Sequence, residues 1–77
     1  MADYVICKEN NPDMFIKACE TIEQVFPNAK KERLLIDVDG STIQIYMEKG
    51  EKITIFDDYD IGTVFATSNL DLKNIFS

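Results

Sequence analysis

The chain has 77 residues, of which 45% are hydrophobic, and a net charge of −6. This length allows one domain, near the lower size limit for a core that folds unaided, and the hydrophobic content argues against disorder. No apolar run approaches the roughly 18 residues of a membrane span, and the N-terminus lacks a signal-peptide pattern. We therefore expect a single domain over residues 1–77, without membrane contact and located in the cytoplasm.

The chain contains no histidine and only two cysteines, Cys7 and Cys19. Histidine is the commonest general base and a principal zinc ligand, so its absence disfavours both kinds of site. No serine, threonine or lysine stands in a pattern that would activate it as a nucleophile. The composition thus predicts a non-enzymatic protein with no cofactor and no structural zinc site. Both cysteines are expected to be free thiols.

The negative charge is concentrated in the second half of the chain. Residues 1–33 carry a net charge of −1, whereas residues 34–77 carry −5. A polyphosphate backbone would be repelled by this second half, so direct nucleic-acid binding is disfavoured. A basic protein is the partner that the charge permits.

The first third of the chain predicts a strand followed by a helix. Residues 3–8 have the β-branched and aromatic content of a short strand. Asn11 followed by Pro12 predicts an N-cap and a first helical residue, and Pro27 ends the helix, which should run over 12–26. Its apolar residues recur at helical spacing and form one stripe: Phe15, Ala18, Cys19, Ile22, Val25 and Phe26.

Residues 33–57 predict three antiparallel strands joined by two tight turns. Asp39-Gly40 is preferred in two-residue type I′ loops, and a three-residue loop over 48–50 would place Gly50 where a left-handed residue is needed. With these turns, one face of the sheet becomes aliphatic and should be covered by the 12–26 helix. Its predicted members are Leu34, Ile36, Val38, Ile43, Ile45, Ile53 and Ile55.

The remaining segments complete a predicted α+β fold. Residues 28–32 read as a polar connector, residues 61–67 as a further antiparallel strand, and residues 69–76 as a short C-terminal helix with a capping box that begins at Ser68. The predicted order is β-α-β-β-β-β-α, an antiparallel sheet packed on one main helix.

The predicted register gathers five carboxylates at one end of the sheet. They are Asp37, Asp39, Asp57, Asp58 and Asp60. Crowded like charges raise one another's pKa, although aspartate also suits turns for purely local reasons. Beside this structural explanation, two functional hypotheses remain. The carboxylates could bind a basic protein partner, as in inhibitor- or immunity-like proteins, or they could bind a divalent cation through their oxygen atoms.

The same register places Leu35, Tyr46 and Phe56 together on the face of the sheet opposite the helix. A solvated face rarely carries three large apolar side chains in one cluster. Either the C-terminal helix covers them, or they form a contact face, for example the interface of a homodimer.

Overall fold

A computed structural model describes residues 2–76, which form a small α+β domain of one antiparallel sheet, one main helix and one short C-terminal helix. The predicted fold class is confirmed. The strands within this range are β1 (Ala2–Cys7), β2 (Lys30–Lys31), β3 (Leu35–Ile36), β4 (Thr42–Glu48), β5 (Glu51–Asp58) and β6 (Thr63–Ser68). The helices are α1 (Pro12–Val25) and α2 (Leu72–Phe76).

The sheet runs in the order β1-β6-β5-β4, and β2 and β3 share the far edge of β4. Lys31 pairs with Tyr46 and Leu35 with Ile43, so three edge residues stand opposite two residues of β4. This bulge is stabilised by the Gln44 side-chain amide, which donates to the Glu32 carbonyl at 2.6 Å. The segment predicted as a plain connector therefore contains an edge strand, because its backbone pairs with β4.

Helix α1 begins and ends close to the predicted residues. The Asn11 side chain accepts hydrogen bonds from the backbone N–H groups of Asp13 and Met14, which confirms the predicted N-cap. The helix buries its apolar stripe against the sheet; the buried members are Phe15, Ala18, Cys19 and Ile22.

Helix α2 starts later than predicted and packs on the same side of the sheet as α1. Asp71 accepts the Lys73 N–H at 3.1 Å and so caps the helix. Ser68 instead accepts the Leu70 N–H and donates to the Lys52 carbonyl, so it belongs to the turn before the helix and not to a capping box. Phe76 stacks on Tyr4 with ring centroids 5.7 Å apart, which holds α2 against β1.

Both turns of the 33–57 segment differ from the prediction, because their lengths are interchanged. In the first, the Asp37 N–H donates to the Ser41 carbonyl at 2.8 Å, which leaves a three-residue loop ending at Gly40 with φ 91°. In the second, Glu48 pairs directly with Glu51. The intervening Lys49 and Gly50 have φ of 51° and 82°, as a two-residue type I′ turn requires.

The interchange moves the register by one residue, which exchanges the two faces of β4. Tyr46, only 1% exposed, points toward α1, whereas Ile43 and Ile45 point away from it. Of the predicted aliphatic face, Ile53 and Ile55 do lie in the core, and the other five residues do not. The core is completed by residues of the helices and of β4 and β6: Phe15, Ala18, Cys19, Ile22, Tyr46, Val64, Ala66 and Leu72.

Candidate functional site

Two loops meet at one end of the sheet and form the first candidate site. The backbone N–H of Tyr59 donates to the Ser41 hydroxyl at 2.8 Å, and the Tyr59 ring lies against Gly40. These contacts join the loop of the first hairpin to the loop between β5 and β6. We call residues 36–40 and 58–61 the acidic end.

Three carboxylates of the acidic end stabilise its own loops. Asp37 accepts the Val38 N–H at 2.7 Å, and Asp39 accepts the Ser41 N–H at 2.9 Å. Asp58 accepts two backbone N–H groups of its own loop, at 2.9 and 3.1 Å. These bonds are the local turn chemistry in which aspartate is favoured. The carboxylate of Asp60 has no such hydrogen bond within residues 2–76 and is exposed.

Asp57 does not belong to this surface, which corrects its predicted position. It is 2% exposed, points toward the helix side of the sheet, and accepts a hydrogen bond from the Asn10 side chain at 2.9 Å. The same Asn10 amide donates to the Asp58 carbonyl at 2.9 Å. Asp57 therefore ties the segment before α1 to β5, and four of the five predicted carboxylates remain at the surface.

The environment of Asp39 favours its negatively charged form. The hydrogen bond from the Ser41 backbone lowers the pKa of Asp39, which is the opposite of the rise expected from crowding among like charges. In the part of the chain that the structure describes, the ion pairs are Lys30–Glu32 and Lys31–Glu23, far from this end. No group of three or more carboxylates or thiols there is close enough to hold a metal ion.

Exposed apolar side chains stand between the carboxylates, a feature that was missed in the sequence. Ile36 is 70% exposed, Ile61 is 66% exposed, Val38 is fully exposed and Tyr59 is about half exposed. The signal was present in the strings Ile36-Asp37-Val38-Asp39 and Tyr59-Asp60-Ile61, where apolar and acidic residues alternate. The predicted register assigns Ile36 and Val38 to the core, whereas the structure leaves both exposed.

The side of the sheet opposite the helices is the second candidate site, which we call the open face. Its apolar and threonine side chains near the centre are Val5, Leu35, Ile43, Ile45, Thr54, Phe56, Phe65 and Thr67, and the same register places Asp3, Met47, Lys52, Asp58 and Thr63 around them. Phe56 and Phe65 stack with centroids 4.6 Å apart, beside a groove of about 340 Å³. No helix or strand of residues 2–76 packs on this face, so α2 does not cover it as one alternative had predicted.

Two of the three residues of the predicted contact face lie together on the open face. Leu35 and Phe56 lie on the open face, but Tyr46 lies on the opposite side, where its hydroxyl donates to the Glu23 carboxylate at 2.5 Å. Burial raises the pKa of Tyr46 far above its usual value, and the hydrogen bond from Tyr46 lowers the pKa of Glu23. Tyr46 is a link between β4 and α1.

Comparison of the chain with known protein families, with curated proteins and with solved structures gave no match. Across residues 2–76, no helix has both the length and the apolar character needed to cross a membrane.

Proposed function

We propose that this protein is a non-enzymatic interaction module that binds a basic protein partner through the acidic end. The observation that carries the proposal is the exposure of Ile36, Val38 and Ile61 between carboxylates. Apolar anchors surrounded by charged groups have the composition of a protein-binding hot spot, in which the apolar groups supply affinity and the charges surround them. Three exposed aliphatic side chains do not stabilise a solvated turn, so their exposure favours a binding role.

The negative charge of the acidic end determines which class of partner it attracts. Four carboxylates lie on the two loops of this end and the described ion pairs lie elsewhere, so a basic surface would be steered toward this end while a polyphosphate would be repelled. A module of this kind acts by occupying a basic functional surface of its partner, as inhibitors and immunity proteins do; that comparison is one of general architecture.

The proposal is tested at residues whose side chains do not stabilise the loops of the acidic end. Asp37, Asp39 and Asp58 hold the loop backbone, so their replacement would disturb the fold as well as the surface. Asp60 and Val38 use their side chains in no hydrogen bond of the described chain, so their replacement changes the surface alone.

The experiment is capture of proteins from a lysate of the natural source cells by the immobilised chain, read by quantitative mass spectrometry. Wild type is compared with Val38→Ser, with Asp60→Asn, and with Glu20→Gln as a control that removes one exposed charge on α1. We expect one basic protein to bind wild type and the control, and at least fivefold less of it to bind Val38→Ser, which corresponds to a loss of about 1 kcal/mol of binding free energy.

Raising the salt concentration should weaken capture by wild type more than capture by Asp60→Asn, because that variant has lost part of the charge attraction. Equal capture of the same proteins by wild type and Val38→Ser would contradict the proposal, as would a captured partner that is acidic.

A further inference from the structure

We infer that the open face binds a second copy of this chain, and that the two-fold axis runs across the strands, so that the two sheets pack face to face with their strands antiparallel. This association shares Asp58 with the acidic end but does not use the exposed aliphatic side chains there, and it does not depend on the proposed function. The shape, the charge and the area of the open face each support it.

The shape of the open face is complementary to itself under this symmetry. One row of paired residues that crosses the strands consists of large apolar side chains: Val5, Phe65, Phe56 and Ile43. The next row contains two small residues at its centre, Thr67 and Thr54, which pair with each other and border the groove, with Ile45 at one end of the row and the exposed Asp3 at the other. An axis between the two rows places the aromatic ridge of each copy over the threonine trough of the other, the alternation of large and small that packed layers need.

The charges are complementary under the same symmetry. Strand β5 carries Lys52 at one end of the open face and Asp58 at the other, and Thr54 and Phe56 lie between them. On the β4 side, Met47 separates Lys52 from Lys30, which is ion-paired with Glu32. Lys52 forms no ion pair within residues 2–76, so it supplies the unpaired positive charge at that end of β5. Rotation about an axis across the strands brings Lys52 of each copy over Asp58 of the other. An axis along the strands would instead bring like charges together.

The area reaches the lower limit for a specific pair. Four strands about 4.8 Å apart, each about six residues long, present a face of roughly 20 Å by 20 Å. Pairing two such corrugated faces buries on the order of 1,000 Å² in total, which reaches the size of a specific interface. Pairing through sheet edges is disfavoured, because a register shift interrupts β1 after Val5 and the bulge separates β2 from β3.

The test is the mass of the protein in solution, measured by light scattering and sedimentation equilibrium between about 5 and about 500 µM, a range chosen to span moderate dissociation constants. We expect wild type to approach twice the chain mass of 8.8 kDa. Thr67→Glu places a charge at the centre of the interface and should give a monomer with an unchanged circular dichroism spectrum, since Thr67 faces outward. Wild type that stays at 8.8 kDa would overturn the inference and leave the proposed function standing.

The orientation of the pair is tested by charge reversal. Lys52→Glu brings two carboxylates together and should weaken the dimer at least tenfold, whereas Lys17→Glu on the exposed side of α1 should not. Adding Thr63→Lys to Lys52→Glu should restore association, because Thr63 pairs with Asp58 on the adjacent strand. A dimer that Lys52→Glu leaves intact would overturn the proposed orientation.

Discussion

The buried polar side chains of this sheet hold different elements together. Tyr46 of β4 reaches Glu23 of α1, Asp57 of β5 reaches Asn10, and Ser68 of β6 donates to the β5 backbone. No buried side-chain nitrogen or oxygen among the described residues lacks a hydrogen-bond partner. Each of these polar groups therefore specifies one arrangement, because any other would leave it desolvated and unpaired.

Tyr46→Phe tests the link between β4 and α1. We expect it to lower the free energy of unfolding by about 1–2 kcal/mol at pH 7, since it removes a buried hydroxyl and its acceptor loses a donor. The measurement is urea unfolding followed by circular dichroism. Tyr59→Phe is the matched control, because the Tyr59 ring is about half exposed and its hydroxyl has no hydrogen bond within the described chain.

The effect of Tyr46→Phe should depend on pH. The hydrogen bond from Tyr46, followed by that from Lys31, lowers the pKa of Glu23 in the folded state. The stabilisation from ionised Glu23 is therefore present above its unfolded pKa of 4.5 and is lost as the pH falls through the folded value. The loss caused by Tyr46→Phe should thus be smaller at pH 3 than at pH 7, by well under 1 kcal/mol because Glu23 is largely solvated. An increase of the loss in acid would contradict this assignment.

At the scale of the elements, the two hairpin loops decide which side chains enter the core. Each ends in a glycine with positive φ, so glycine alone is compatible with either loop length. The difference lies at the residue before glycine, since Lys49 is left-handed and Asp39 is not. The two-residue loop requires two left-handed residues, whereas the three-residue loop requires one.

Lys49→Asn tests the assignment of the two loops. Asparagine tolerates the left-handed region better than lysine, so we expect stabilisation on the order of 0.5–1 kcal/mol. Asp39→Asn is the control at the corresponding position of the other loop and should give no gain, because its φ is negative there. Thermal unfolding of both variants measures this. A gain for Asp39→Asn but none for Lys49→Asn would mean that the loops have the lengths first predicted from the sequence.

At the scale of the whole molecule, both helices lie on one side of the sheet and the other side remains apolar. A chain of 77 residues buries a small core, so covering the open face would add substantially to its stability. Folding and association would then be linked, because the dimer contains only folded chains.

The melting temperature of wild type should therefore rise with protein concentration. We expect an increase of roughly 5–10 °C between about 5 and about 500 µM, since a hundredfold rise in concentration stabilises a dimer by about 2.7 kcal/mol, or about 1.4 kcal/mol per chain, and each kcal/mol shifts Tm by about 4–8 °C in a domain of this size. Scanning calorimetry at several concentrations measures it. Thr67→Glu should melt at one temperature throughout, and a wild-type Tm independent of concentration would contradict the linkage.

Much of the fold could be predicted from local signals. Asn11, Pro12 and Pro27 give the bounds of α1 to within a residue, since capping and the missing proline N–H act locally. The strands β1 and β6 and the existence of two hairpins followed from composition and turn residues. The gathering of Asp37, Asp39, Asp58 and Asp60 at one end also followed, because it depends on strand direction and not on register.

Which face of β4 is buried was decided only by the tertiary structure. Ile43 and Ile45 alternate with Gln44 and Tyr46, and both sets can be buried, so hydrophobic alternation favours the wrong face. The Tyr46 side chain is buried because its hydroxyl donates a hydrogen bond to Glu23. Asp57 is buried because it accepts a hydrogen bond from Asn10, which lies 47 residues earlier in the chain. Local sequence thus determined the elements and their ends. Partners distant in the chain determined the register, and with it the apolar face that is left open.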